Sequence, residues 1–256
     1  FLGMLGSLAD HLTDQNFNLL FSRIDAAAIE DVAGLVDSGV VCGVIIIGQW
    51  GQHERLNQLA RRRVPFVVWG GQLPQQIYCS VGSDNFNGGK LATEHLLSLG
   101  RKRILFMGDR DATEAQQRYQ GYLAAHAARG LQPDPALYLP SPFTELEAQQ
   151  AMTSFLQRGV SFDAVFAASD LIAINAMGVM GSQGISIPKD VSVVGYDDVG
   201  MAAHSFPPLT TIRQPIDLAG AALMDCLLEV IRQGQAEPQV VPTQLVVRAS
   251  TSALTI

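Results

Sequence analysis

Short apolar segments alternate with segments of helical hydrophobic period along almost the whole chain, and this alternation is the strongest constraint on the fold. The apolar runs contain few polar residues, as expected of strands buried on both faces. Strands of that kind, alternating with helices, are typical of parallel sheets covered on both sides. The strands are predicted at 17–21, 40–48, 65–70, 103–108, 136–139, 163–169, 191–195 and 243–248, with a loop at 81–89 and a shorter β-like run at 209–212.

Two series of these elements, divided near Gly100, predict two similar lobes. The fold class is therefore α/β, with two doubly wound, Rossmann-like lobes that contain parallel sheets and are joined by crossover strands. The predicted boundaries are 1–99 plus 214–238 for the N-terminal lobe and 100–213 plus 239–256 for the C-terminal lobe.

Composition and charge restrict the possible partners. Hydrophobic residues make up 48% of the chain and charged residues 16%, which is enough for a large core. No segment reaches the run of about 18–20 apolar residues that a membrane span requires, so we expect a soluble protein with no membrane partner. The net charge of −7 is opposite to that of surfaces that bind DNA phosphates. This part of the chain is therefore not expected to contact DNA itself.

The cysteines do not form a recognisable motif. Cys42, Cys79 and Cys226 lie far apart, and no CxxC spacing occurs. The sequence therefore predicts neither a disulfide framework nor a zinc site, and we expect reduced thiols in a cytoplasmic protein.

Polar and aromatic side chains follow the predicted strands. In open α/β sheets, ligands bind beyond the carboxyl ends of the strands. Carboxylates and amides bind hydroxyl groups, and aromatic rings stack on the apolar face of a sugar. The set therefore predicts a binding site for a neutral, polyhydroxylated ligand. Its members are Gln49, Trp50, Trp69, Asp84, Asn85, Asn87, Asp109–Asp111, Ser169, Asp170, Tyr196, Asp197 and Asp198.

Motifs of catalysis and of cofactor binding are not found. The sequence has no GxGxxG, no GxxxxGK[ST], no GxSxG and no HExxH, and its histidines lack the spacing of metal ligands. No cofactor and no metal are therefore expected. The adjacent acids Asp197 and Asp198 could serve as an acid/base pair, although neighbours on a chain rarely point into the same site.

Two long segments carry a resemblance to a known family. "VGSDNFNGGKLATEHLLSLGRKRILFMG" and "VSVVGYDDVGMAAHSFPPLTTIRQPIDLAG" resemble the core of the LacI/GalR family of bacterial repressors. The resemblance extends over essentially the whole chain. It implies a two-lobed, periplasmic-binding-protein-like fold of type I that binds a small effector, usually a sugar, between its lobes and works as a homodimer.

The resemblance also implies an N-terminal helix-turn-helix headpiece that binds operator DNA. Leu5, Leu8 and Leu12 already follow a helical period at the start of this sequence. We therefore expect that the headpiece and the first strand of the fold precede Phe1.

Two residues match effector-binding positions of the family. Asp197, the first acid of "GYDD", corresponds to the residue that binds effector hydroxyls; the alternative is a loop acid that caps the next segment. Arg118 in "RYQGY" corresponds to the effector-binding arginine; the alternative is an ion pair with Glu114 along the helix.

Further residues are expected to contact the effector, and for several of them a structural role is the alternative. Phe143 would stack on the ligand or pack in the core, and either Ser169 or Asp170 would contact the ligand, Asp170 alternatively capping a helix. Asn87 matches a polar position of the family in the first lobe, and Gln214 lies at the crossover between the lobes. Trp50 and Trp69 follow only from their places at strand ends, where packing is the alternative.

The sequence thus predicts the effector-binding core of a transcription regulator that responds to a mono- or disaccharide. Ala112 and Glu114 stand where many members carry small hydroxyl residues, so the effector cannot be transferred from any one member. The first alternative is a periplasmic sugar-binding protein of a transporter, because fold does not fix function. The second is an α/β enzyme that uses Asp197 and Asp198.

Overall fold

The structure is a computed structural model that describes residues 2–23, 26–49 and 51–254. The chain divides into two compact units, Phe1–Ser83 with Pro215–Pro242, and Asp84–Gln214 with Thr243–Ile256. The helices are α1 Leu2–Asp14, α2 Val32–Asp37, α3 His53–Arg61, α4 Asn85–Ser98, α5 Thr113–Ala127, α6 Glu145–Gln157, α7 Asp170–Ser182 and α8 Ile216–Gln233. The strands are β1 Val44–Ile47, β2 Phe66–Trp69, β3 Cys79–Ser83, β4 Ile104–Met107, β5 Tyr138–Leu139, β6 Ala164–Ala167, β7 Ser192–Asp197, β8 Thr210–Arg213, β9 Gln239–Val241 and β10 Gln244–Val246.

The first unit contains a parallel sheet in the order β1-β2-β3-β9. Successive side chains of a strand point to opposite faces. Val67 therefore packs with α1 and α8, where Leu8 and Leu223 are fully buried. Phe66 packs on the other face with α2 and α3, against Leu56. Both faces are apolar, as the continuous hydrophobic strands predicted.

The second unit contains a larger sheet in the order β10-β8-β7-β6-β4-β5. All of its pairs are parallel except β10 with β8. Phe106, Phe166 and Val194 form the buried centre of this sheet. The predicted α/β fold class with parallel sheets is confirmed. None of the described helices is long and apolar enough to cross a bilayer.

Helices α4 and α5 approach each other closely at two glycines of the second unit. A Cβ atom at Gly121 would overlap the carbonyl oxygen of Phe86, and one at Gly89 would overlap the carbonyl of Arg118. Since side chains larger than hydrogen do not fit, the two backbones pack directly. This contact fixes the turn of α5 that carries Arg118.

The predicted strand at 17–21 is wrong. Residues 17–23 have no strand structure, and among the described residues β1 pairs only with β2. Leu19, Leu20 and Phe21 are largely exposed. The apolar run suggested a buried strand, because the hydrophobic pattern alone does not tell whether a segment is covered by the core.

The predicted loop at 81–89 is wrong over almost its whole length, because β3 occupies Cys79–Ser83 and α4 begins at Asn85. All five residues of β3 are buried. The small residues of "CSVGS" concealed this strand, since they have low strand propensity. Strand β9 was missed as well, because two of its three residues are exposed and the segment lacks an apolar run.

The unit boundaries differ from the predicted ones. The division expected after residue 99 lies between Ser83 and Asp84, because α4 packs on α5 within the second unit. The segment 239–242 stays in the first unit, because β9 pairs with β3. Gln214 is the last residue of its segment in the second unit, one position from the predicted crossover.

Replacing Gly121 by Ala should destabilise the protein, because the new methyl group overlaps backbone atoms of α4. We expect a loss of about 1–3 kcal/mol in the free energy of unfolding, measured with urea. Gly178 of α7 is the matched control, because its Cβ would meet no atom within 4 Å. Gly178→Ala should stabilise the protein by about 0.5–1 kcal/mol. Equal effects of the two substitutions would contradict the close helix contact.

Candidate functional site

Arg118 is a buried cation at the centre of the second unit, with 4% of its surface exposed. Its Nε donates to Oδ1 of Asn85 at 2.8 Å, and its Nη1 donates to the carbonyl oxygen of Ala168. The guanidinium carbon lies 3.6 Å from the centre of the Tyr196 ring. These contacts replace the water that a buried charge loses. The predicted alternative, an ion pair with Glu114, is not formed.

Asn85 orients the arginine from the start of α4. Asp84 caps that helix, since its carboxylate accepts from the backbone N–H of Asn87 at 2.9 Å. The Asn85 amide donates to Oε1 of Gln117 at 3.3 Å, which leaves its oxygen directed at Arg118. Gly88, one turn further along α4, is also required, because a Cβ there would lie 2.6 Å from the Tyr196 hydroxyl.

Asp197 and Asp198 form a tight turn at the carboxyl end of β7. Their φ angles are 113° and 58°, in the left-handed region that side chains other than glycine rarely adopt. Such conformations cost about 1–3 kcal/mol each and persist only where the surroundings impose them. The turn sends the two neighbouring carboxylates to different partners, which argues against a catalytic pair.

Asp198 is held by two arginines of the second unit. Its Oδ2 accepts from Nε of Arg213 and its Oδ1 from Nη2 of Arg248, both at 2.6 Å. The Asp198 side chain is nearly buried. Arg248 also donates to the carbonyl oxygen of Leu209 at 2.8 Å. Asp198 therefore anchors the turn, and its ion pairs involve both arginines.

Asp197 is the accessible acid of the site, with 30% of its side chain exposed. Its Oδ1 accepts from Nε2 of Gln214 at 2.6 Å and lies 4.0 Å from Nη1 of Arg118. Burial raises the pKa of the Asp197 carboxyl, while Arg118 and Gln214 lower it. The structure thus brings together three of the predicted residues, and we call Arg118, Asp197 and Gln214 the Arg118 site.

Ser169 and Asp170 both have structural contacts within the second unit. Ser169 is buried and caps α7, because its hydroxyl accepts from the backbone N–H of Ile172 at 3.2 Å. Asp170 is fully buried and accepts from the Thr211 hydroxyl and from the backbone N–H of Val199. Ser169 and Asp170 stay predictions as ligand contacts.

The environment of Asp170 makes its charge costly. Burial raises the pKa of the Asp170 carboxyl to about 7, and the negative charges of Asp197 and Asp198 add to the rise. The hydrogen bonds from Thr211 and Val199 oppose it. Asp170 therefore titrates near neutral pH, directly behind the strained turn.

Phe143 and Asn87 stay predictions as ligand contacts. Phe143 lies in the loop after β5 with 43% of its surface exposed, so the alternative of core packing is wrong. Asn87 is half-buried in the first turn of α4. Neither side chain hydrogen-bonds to the Arg118 site within the part of the chain that the structure describes.

The strand ends of the first unit carry the remaining predicted residues. Trp69 ends β2 half-buried and packs on the apolar core of that unit, as its alternative proposed. Gln49 is buried and donates to the carbonyl oxygen of Gly71 at 2.7 Å and to the Tyr78 hydroxyl at 3.1 Å. Trp50 lies outside the described residues. Trp50 and Trp69 stay predictions as ligand contacts.

Asn85 and Tyr196 belong to the strand-end set predicted from the sequence, but their contacts with Arg118 were not predicted. Nothing in the sequence joins either residue to Arg118. The sequence contains little sign of these contacts, because Asn85, Arg118 and Tyr196 lie on α4, α5 and β7, which are far apart in the chain.

The Arg118 site has the groups that bind hydroxyls. The carboxylate of Asp197 accepts hydrogen bonds, and Nη2 of Arg118 has no acceptor among the described residues and can donate to a ligand. No group of three or more His, Cys, Asp or Glu in the described ranges is arranged to hold a metal ion.

Comparisons with known proteins show what this chain is similar to. Residues 93–251 match the family described as the periplasmic binding protein-like domain. The regulator CelR of Thermobifida fusca is 35% identical over 226 residues, which cover 86% of this chain and 66% of that protein.

Solved structures give the same result. A transcriptional regulator CelR–cellobiose complex has a TM-score of 0.88 at 32% identity and covers 97% of this chain and 78% of that one. A LacI family regulator from Enterococcus faecium with bound ribose has a TM-score of 0.87 at 30% identity, and covers 100% and 95%. These relatives are transcriptional regulators, which favours a regulator over the transport protein and enzyme alternatives.

Replacing Asp170 by Asn should make stability less dependent on pH. The pKa of Asp170 in the folded protein, about 7, lies above the value of about 3.9 in an unfolded chain. The folded state therefore holds a proton that the unfolded state has lost between these values. The stabilisation that this proton gives the folded state is complete below about pH 4 and falls as pH rises to 7. We expect wild-type stability relative to Asp170→Asn to fall by about 2 kcal/mol from pH 5 to 7 in urea unfolding.

Asp225→Asn is the control for this measurement, because Asp225 is an exposed acid on α8. Its pH profile should follow that of the wild type. If the profiles of wild type and Asp170→Asn run parallel from pH 5 to 8, the buried carboxyl does not titrate near neutrality and the account of its environment is wrong.

Proposed function

Because the chain belongs to the LacI family of ligand-responsive transcriptional regulators, we propose that its Arg118 site binds a neutral sugar as effector. The observation that carries the proposal is the accessible Asp197 carboxylate, which Gln214 orients and Arg118 faces. Asp197 accepts hydrogen bonds from sugar hydroxyls, and Arg118 donates to a hydroxyl or ring oxygen.

Charge supports a neutral ligand over a phosphorylated one. Arg213 and Arg248 both pair with Asp198, and Arg118 already faces Asp197. An added phosphate group would meet the negative charge of Asp197, and these three arginines already face carboxylates. A sugar brings hydroxyl donors and no charge, so it matches the carboxylate acceptor.

Cellobiose is the first candidate ligand, because a CelR structure 32% identical to this chain was solved as its cellobiose complex. Phe143 is exposed in the loop after β5 and offers an aromatic face for a sugar ring. Ribose, bound in the Enterococcus faecium regulator, represents the monosaccharides. Asn87, Trp50 and Trp69 remain further candidate contacts.

The regulatory role extends beyond this chain, which spans 66% of CelR. We propose that a helix-turn-helix segment of the full-length protein binds operator DNA in the cytoplasm as a homodimer, and that the effector changes the affinity for the operator. An effector can shift that equilibrium only by binding two conformational states with different affinity. The acidic charge of the chain supports a division of labour in which it binds ligand and not DNA. The proposed role includes no catalysis.

Thermal unfolding with added sugars tests the proposal. A sugar at about 100 times its Kd should add about 2.7 kcal/mol of stability, which corresponds to a Tm rise of about 5–10 °C. Cellobiose, maltose, ribose, glucose 6-phosphate and a purine base form the panel. We expect a rise with a neutral sugar and none with glucose 6-phosphate.

Asp197→Asn should abolish this rise, because the amide group replaces one acceptor oxygen by a donor. Asp225→Asn, which changes an exposed acid of α8 in the same way, should keep it. A rise with glucose 6-phosphate alone would contradict the neutral ligand. A sugar-induced rise that Asp197→Asn leaves intact would contradict the site.

A further inference from the structure

The thiols of Cys79 and Cys226 meet inside the first unit. Cys79 begins β3 and Cys226 lies on α8, and 5% and 1% of their surfaces are exposed. Both sulfurs approach the carbonyl oxygen of Glu237, at 3.6 Å from Cys79 and 3.8 Å from Cys226. Each thiol also influences the pKa of the other. Cysteines that are distant in the sequence thus share one carbonyl group.

The fold holds these thiols in place from three sides. Strand β3 is paired on both edges, with β2 and with β9, and α8 packs on the face that carries Cys79. Glu237 belongs to the short connection from α8 to β9. The segment Pro215–Pro242 enters the first unit separately from residues 1–83. A bond between the two sulfurs would therefore fasten two separate chain segments of the unit.

The two thiols differ in their readiness to ionise. A hydrogen bond from Cys79 lowers the pKa of the Cys226 thiol, against the effects of burial and of Asp225 and Glu229. The same contact, with burial, raises the pKa of Cys79. Cys226 is therefore the sulfur that becomes the attacking thiolate, since the thiolate is the nucleophile in disulfide exchange.

We propose that Cys79 and Cys226 form a reversible intramolecular disulfide that fastens α8 to β3 when the protein meets a small-molecule disulfide. The proposal replaces the expectation of permanently reduced thiols that sequence spacing suggested, and it does not depend on the identity of the effector.

The disulfide forms by two successive thiol–disulfide exchange steps. The Cys226 thiolate attacks one sulfur of the small disulfide, forms a mixed disulfide and releases one small thiolate. The Cys79 thiol then loses its proton to solvent and attacks the Cys226 sulfur, which releases the second small thiolate. The two protein sulfurs lose two electrons, and the small disulfide becomes two thiols that take up the protons of both cysteines. Because both sulfurs are buried, the oxidant enters through local opening of the unit.

The experiment equilibrates the chain with buffers of glutathione and glutathione disulfide in fixed ratios. Cys42 is exposed and would form mixed or intermolecular disulfides, so Cys42→Ser is the working background. Peptide mapping without reductant should find Cys79 linked to Cys226. The Tm should rise by about 5–10 °C on oxidation, because a disulfide restricts the unfolded chain, and return on adding dithiothreitol.

A variant that lacks one of the two thiols tests whether the linked peptide and the Tm rise come from this disulfide. Cys226→Ala in the Cys42→Ser background should lose both the linked peptide and the Tm rise, and its reduced form reports whether it folds. The peptide map of the Cys42→Ser protein gives a result even if that variant does not fold. No linked peptide at any glutathione ratio overturns the proposal. A linked peptide with a lowered Tm overturns it too, since native geometry would then not accommodate the bond.

Discussion

The rest of the Arg118 site depends on the contacts of the buried Arg118 guanidinium. Its charge is removed from water and is tolerated because the Asn85 amide, the Ala168 carbonyl and the Tyr196 ring surround it. Those partners come from α4, from the end of β6 and from β7. One side chain thus fixes the relative positions of three elements and directs part of its charge toward Asp197.

The strained turn at the end of β7 has a second anchor. Asp198 draws Arg213 and Arg248 together, while Asp170 accepts from the backbone N–H of Val199 just beyond the turn. These bonds are needed because two consecutive residues other than glycine adopt left-handed conformations. The turn separates the two acids by role: Asp198 holds the backbone, and Asp197 is left accessible. Because the two adjacent carboxylates have different partners, they do not form an acid/base pair, and this favours binding over catalysis.

The fold class could be predicted from the sequence, and three residues predicted as ligand contacts lie close together in the structure. Arg118 and Asp197 were predicted from the family pattern, and Gln214 from its place at the crossover. The burial of Asp170 was not predicted, because its strand-end position resembles that of Asp197 and only the packing of the structure shows that it is fully buried. Strand β3 was not predicted, because its buried residues are mostly small and do not form an apolar run in the sequence. The meeting of Cys79 with Cys226 depends on tertiary structure that spacing cannot reveal.

A double-mutant cycle on sugar affinity tests the central claim, that Arg118 and Asp197 act on the ligand as one unit. Calorimetric titration with cellobiose would compare the wild type, Arg118→Met, Asp197→Asn and the double variant. The account predicts that the two losses of binding free energy are non-additive by at least about 1 kcal/mol, because each residue orients the other. Losses that add within about 0.5 kcal/mol would contradict it, since the two residues would then act independently.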